Sequence, residues 1–162
     1  MATLAFQRLS QLVTDYDMGN SGTITPPATW QLALSTTAVA AMARNSVWSP
    51  TVSGTNINEL ASTTAAGYLR QAIARTINQA GIDWGTSTFD NTTSTGGQST
   101  TADQVTFGAF SGAPSPNGAN SWVLTDLTPV NTGQPYFAGD TAATRTFANG
   151  DTEKVTPTLK AG

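Results

Sequence analysis

The chain has 162 residues, no histidine and no cysteine, and only 10% of its residues are charged, against about 25% in average soluble domains. Its net charge of −3 and its scattered basic residues (Arg8, Arg44, Arg70, Arg75, Arg145, Lys154, Lys160) exclude the clustered positive face that a phosphate backbone requires. So little charge argues against a free cytosolic monomer, because charge keeps soluble monomers apart.

The first predicted element is an amphipathic helix over residues 1–19. Ala5, Leu9, Leu12, Val13 and Tyr16 recur at steps of three and four and share one face, and Met18-Gly19-Asn20-Ser21-Gly22 ends it. Such a helix either covers the edge or end of a sheet or grips a neighbouring subunit. Its start lacks a basic segment followed by an apolar run, so it does not read as a signal peptide, and no apolar run in the chain reaches the roughly 20 residues of a membrane span.

After Pro26-Pro27 the period becomes two. Trp30, Leu32 and Leu34 alternate with Gln31 and Ala33, a half-buried strand. Residues 36–45 suit a short helix or an apolar loop, alanines favouring helix and Thr and Val opposing it. Tyr68 to Ile77 reads as a strand. Leu69, Ile73 and Ile77 also fit a helical step of four, but Gln71 and Arg75 support alternation, as does the resemblance set out below. Residues 86–101 are nearly all Thr, Ser, Asn and Gly and read as a long polar loop. Strands follow at 104–110, 121–127, 136–138, 144–147 and 154–159. Turns at 112–118, 131–133 and Asn149-Gly150-Asp151 separate them, Asn-Gly being a strong hairpin signal. Short strands with a turn every 8–12 residues predict one all-β domain over 1–162: a jelly-roll-like antiparallel β-sandwich over 28–162, preceded by the helix.

Few residues are equipped for chemistry. Asp15 to Asn20 faintly resembles a calcium loop, but Gly19 falls at its fifth position and Pro26 at its twelfth, so the ligand pattern fails. Asp83, Asp90, Asp103 and Asp126 are the candidates for paired carboxylates. Each lies at a strand end or turn, where Asp commonly holds backbone amides. No catalytic residue, metal site or cofactor is expected. Tyr68 and Arg70 share a strand face; the ring packs on the Arg stem or Arg70 pairs with Glu59, or else Arg70 makes a subunit contact. Of the four tryptophans, Trp30 and Trp122 read as core, while Trp48 and Trp84 lie in loop-like surroundings suited to an interface or to sugar stacking.

The order of these pieces resembles a family of small tailed-bacteriophage virion proteins, which includes tail-fibre-like proteins and head decoration (cement) proteins. The similarity rests on Pro27-Ala28-Thr29-Trp30-Gln31-Leu32-Ala33-Leu34-Ser35-Thr36, on Glu59-Leu60 followed by Gly67-Tyr68-Leu69-Arg70-Gln71, on Val105-Thr106-Phe107, on Trp122 to Asp126, and on the turn-like Gly139-Asp140 and Asn149-Gly150-Asp151-Thr152. The chain departs from the family in a longer spacer before Gly67, with Ser62-Thr63-Thr64-Ala65-Ala66 inserted, and in a glycine pair reduced to Gly133. The resemblance implies a β-sandwich with an N-terminal helix and a place on the phage particle.

Together these readings lead to an expected role as a capsid decoration protein on the outer surface of the head. Its partner would be the major capsid protein, with self-association as a trimer and no nucleic-acid or membrane partner. The expected contact residues are Leu9, Leu12, Tyr16, Val39, Met42, Trp48, Tyr68, Arg70 and Trp84. The alternative is a tail or tail-fibre structural or adaptor protein. A carbohydrate-binding sandwich using Trp48 or Trp84 is a third reading, and an enzyme the weakest.

Overall fold

A computed structural model describes residues 3–7, 27–49, 56–60, 67–89, 98–114, 117–127, 129 and 132–161. Its strands are β1 (Thr3–Ala5), β2 (Thr29–Ser35), β3 (Gln71–Ala74), β4 (Thr88–Phe89), β5 (Gln98–Thr101), β6 (Val105–Gly108), β7 (Ala119–Thr125), β8 (Pro135–Arg145), β9 (Thr152–Val155) and β10 (Thr158–Ala161), with one 3₁₀ turn at Val39–Ala41. All strand pairs are antiparallel. They form a five-stranded sheet in the order β1-β8-β7-β2-β3, a three-stranded sheet β10-β5-β4 and a two-stranded sheet β6-β9. The fold is all-β.

The alternation read at Trp30, Leu32 and Leu34 is realised in β2, which sits between β7 and β3 with Leu34 opposite Trp122 and Leu32 opposite Gln71. One face of the large sheet contributes Leu32, Leu34, Ile73, Trp122, Leu124 and Phe137 to the main core, which Val105 and Phe107 of β6 and Val155 of β9 complete from across the interface. The opposite face carries Val123 and Ala138 and is covered by Phe6, Val39, Met42 and Ile57. Both faces of the central strands are therefore closed, which is why Leu32 to Ser35 are all buried instead of alternating. Each large apolar side chain buried in this way contributes about 1.5–3 kcal/mol.

Several expectations change. Thr3–Ala5 is a strand, not the start of a helix. It pairs with Phe137–Gly139 of β8, so Ala5 joins a sheet edge, where main-chain bonds to the longest strand outweigh a weak helical pattern. Leu9, Leu12, Val13 and Tyr16, the rest of the expected apolar helix face, lie outside the described residues. Residues 36–45 hold neither a full helix nor a plain loop, but a single 3₁₀ turn that buries Val39.

The polar stretch 86–101 is not all loop. Thr88 pairs with Ser99 and Phe89 with Gln98, because Thr-rich sequence suits a pleated, half-exposed surface. The strands expected at 136–138 and 144–147 are one continuous β8, with Gly139 and Asp140 inside it and not at a turn. The missing side chain of Gly139 makes room for the indole of Trp122: a Cβ there would come within 2.6 Å of Trp122 Cε2. The last strand is split in two. Pro157 interrupts it, so β9 pairs with β6 and β10 with β5. Asn149 and Gly150 do form a turn, Gly150 with φ +88°, but it leads from one sheet to another instead of closing a hairpin.

Candidate functional site

The residues around Glu59 and Tyr68-Leu69-Arg70 fold into one buried polar network. The Arg70 side chain meets Glu59 through two bonds, Nε to Oε1 at 2.8 Å and Nη2 to Oε2 at 2.6 Å. Both side chains are fully buried. The Tyr68 hydroxyl donates to Glu59 Oε1 at 2.9 Å and accepts the Leu34 amide of β2 at 2.8 Å. Arg70 Nη1 also donates to the carbonyls of Leu127 and Thr132, the latter at 3.1 Å. The guanidinium lies 4.7 Å from the centre of the Trp48 ring, within cation–π range. Bidentate geometry of this kind suits a guanidinium and no other side chain.

The network therefore joins β2, the approach to β3 and the segment after β7. The Tyr68 ring stacks on Phe107 at 6.1 Å, and burial is the main cause that holds its hydroxyl well above the ordinary tyrosine range, reinforced by the Glu59 charge. Nearby, Asp126 Oδ1 accepts the Gln134 amide at 2.8 Å. Gly133 adopts φ +85°, and a Cβ there would fall 2.6 Å from Asp126 Oδ1, so this turn tolerates no side chain at its tightest point.

Among the expected contact residues, Val39, Met42, Tyr68, Arg70 and Trp84 are buried within the chain. Trp48 is half-buried, with one face occupied by Arg70 and an indole Nε1 that has no hydrogen-bond partner. Leu9, Leu12 and Tyr16 are outside the described residues. The pairing of Arg70 with Glu59 is the intramolecular arrangement that the sequence offers as one of its readings.

Among the described residues the large apolar side chains that face outward are others: Leu69 at 65% exposure, Val47 at 57%, Ile77 at 55%, Leu127 at 50% and Ile82 at 38%. Leu69 precedes Arg70, and Leu127 supplies a carbonyl that Arg70 holds, so one buried guanidinium fixes the backbone beneath two exposed leucines. Periodicity places Leu69 on an inward helical or strand stripe; only the inward commitment of Tyr68 and Arg70 on either side could have signalled that it points out.

The aspartates serve loops. Buried Asp83 accepts from Thr76 Oγ1 at 3.2 Å and from the Gln79 amide at 2.5 Å, while Asp103 Oδ2 accepts the Asp83 amide at 3.2 Å. Asp90 is outside the described residues. Among the described residues no group of three or more acidic, His or Cys side chains could hold a metal ion, and no helix is long and apolar enough to cross a membrane.

A second surface feature lies where the large sheet meets the three-stranded sheet. Trp30, Arg75, Ile77, Trp84, Ser87 and Thr100 line an open cleft of about 210 Å³. Trp84 is held there by bridges to Ile77 and Ala102, and Trp30 leans edge-on against Tyr136 at 4.7 Å. Sequence reasoning assigned Trp30 to the core, because the period of β2 does not reveal that its first turn of side chains opens onto a neighbouring sheet.

No protein-family model, curated protein or solved structure matches the chain.

Proposed function

We propose that this protein is a bacteriophage capsid decoration protein, one that binds the outside of the head and bridges major capsid subunits. The observation that carries the reading is the pair of exposed leucines, Leu69 and Leu127, on backbone fixed by Arg70, on a chain with little charge. A surface that docks gains about 25 cal/mol for each Å² of apolar area it covers, and outward leucines on fixed backbone offer such area. The resemblance noted in the sequence adds support. Its Glu…Gly-Tyr-x-Arg-Gln pieces are Glu59 and Gly67 to Gln71, and three of those side chains build the network, so the motif does one coherent physical job.

In this reading the chain is a jelly-roll-like sandwich and acts as a trimer. Many copies, each contributing a modest contact, together resist the outward pressure of packaged DNA through multivalency. Heads assembled with and without the protein test it: heads carrying the protein should withstand higher temperature or greater osmotic shock, and equal resistance would overturn the proposal. Copy number separates the head from the tail. A band near the abundance of the major capsid protein on a gel of purified virions fits decoration, whereas a handful of copies fits a tail or tail-fibre component.

A further inference from the structure

We infer that Asn149 is a self-modification site, at which the Gly150 main-chain nitrogen expels the side-chain amide and leaves aspartate or isoaspartate in the folded protein. The chain contains two Asn-Gly pairs, Asn117-Gly118 and Asn149-Gly150. Glycine has no Cβ to crowd its own nitrogen, so the two pairs are equally suited by sequence. The fold separates them.

Asn117 is clamped. Its Oδ1 accepts the Phe147 amide at 3.0 Å and the Gly118 amide at 2.9 Å, and its Nδ2 donates to the Phe147 carbonyl at 3.0 Å. Turning its Cγ toward the Gly118 nitrogen breaks these bonds, and Gly118 is buried, away from the hydroxide that must take its proton. Asn149 and Gly150 are instead the exposed middle residues of a turn, closed by the Asp151 amide on the Ala148 carbonyl at 3.2 Å. Among the described residues nothing holds the Asn149 carboxamide. One restraint remains: the Gly150 amide donates to the Phe110 carbonyl at 2.7 Å. A single main-chain bond at an exposed turn opens locally, without unfolding the rest.

Once that bond opens, hydroxide removes the Gly150 amide proton and the nitrogen lone pair attacks Asn149 Cγ. The N–Cγ bond forms, the Cγ–Nδ2 bond breaks, and Nδ2 takes a proton from water and leaves as ammonia. Water then opens the cyclic imide. Cleavage between nitrogen and Cγ gives aspartate; cleavage between nitrogen and the main-chain carbonyl carbon gives isoaspartate. Water enters, ammonia departs and nothing is oxidised. Either product adds one negative charge to a chain of net charge −3. Isoaspartate also lengthens the main chain by one carbon. The turn it lengthens is tied to Phe110 twice, by the Gly150 bond and by the Phe110 amide on the Asp151 carbonyl at 2.9 Å. The Phe110 ring stacks on Phe147 in the core at 4.5 Å, so the longer turn strains a core contact.

The experiment incubates the full chain in mildly alkaline buffer made with oxygen-18 water, beside a sample in urea, and follows both asparagines by peptide mass spectrometry. Trypsin releases residues 146–154, in which Asn149 is the only asparagine. In the folded chain, labelled acid should appear at Asn149 at least about tenfold faster than at Asn117, a ratio within reach of the two side-chain bonds to Phe147; in urea the two rates should converge. The isoaspartate form, isolated by ion exchange, should unfold at lower urea than Asn149→Asp, which carries the same charge on an unaltered main chain. Absence of labelled acid at Asn149 in the folded chain, or equal rates at the two sites there, overturns the site. Matching urea midpoints for the two acids overturn the strain at Phe110. None of these readings involves phage heads, so they stand or fall apart from the capsid proposal.

Discussion

Replacing Arg70 with methionine tests the buried network most directly. The substitution keeps an unbranched stem of similar reach and removes four hydrogen bonds: two to Glu59 and one each to the carbonyls of Leu127 and Thr132. It leaves the Glu59 carboxylate fully buried without its counter-ion. Breaking a buried pair from one side costs about 3–5 kcal/mol, a large part of the roughly 5–15 kcal/mol that folds a domain. At about 2–4 °C per kcal/mol for a chain of this length, the midpoint should fall by roughly 6–20 °C. Urea unfolding followed by circular dichroism, with calorimetry for the midpoint, measures both. The double variant Glu59→Leu with Arg70→Met should recover part of the loss, since no buried charge is left over, but not all of it, because the Tyr68 O–H loses its acceptor and the two carbonyls lose the Arg70 donor. A cost below about 1 kcal/mol for Arg70→Met, the range of an exposed pair, or strict additivity in the double variant, would refute the reasoning.

Gly139→Ala should destabilise by about 1–3 kcal/mol, the usual cost of overpacking, because the new methyl overlaps the Trp122 indole; urea midpoints check it, and Trp122→Phe alongside should relieve part of the effect. The Tyr68 hydroxyl keeps its proton in the fold beyond the ordinary value of 10.0. The unfolded chain releases that proton first, so stability is complete below about pH 10 and declines as the pH rises further; Tyr68→Phe should flatten that alkaline decline in pH-dependent denaturation. Asp83→Ala removes the acceptor for Thr76 and the Gln79 amide and should cost about 1–3 kcal/mol, with hydrogen exchange accelerated at Gln79. Leu69→Ser with Leu127→Ser should leave the unfolding midpoint within about 0.5 kcal/mol of the parent and weaken binding to phage heads in a co-sedimentation assay.

The legible parts of the fold are those where local chemistry and burial agree. Trp30, Leu32 and Leu34 share one face of β2 because that face meets the main core, and Asn149-Gly150 turns because glycine tolerates positive φ. The partnership of Glu59 with Arg70 was also within reach, since a buried carboxylate needs a cation and the nearby stretch offers one.

What escaped depends on tertiary neighbours. Gly139 looks like a turn residue until Trp122 is seen lying across it. Ala5 looks helical until β8 offers an open edge, and the Thr-rich run at 98–101 looks like loop until β10 lies beside it. The cleft is the extreme case: Trp30 of β2 and Thr100 of β5 come together from separate sheets, and no local pattern records that.

Strand β1 is three residues long, yet it screens Phe137 to Gly139 of β8 from solvent. Proteolytic shaving of those few residues would bare a row of main-chain donors and acceptors on the longest strand, a ready template for a foreign strand to add to. Preparations nicked at the amino end should consequently accumulate soluble aggregates well before they lose circular dichroism, and a purification tag is better carried at the other terminus.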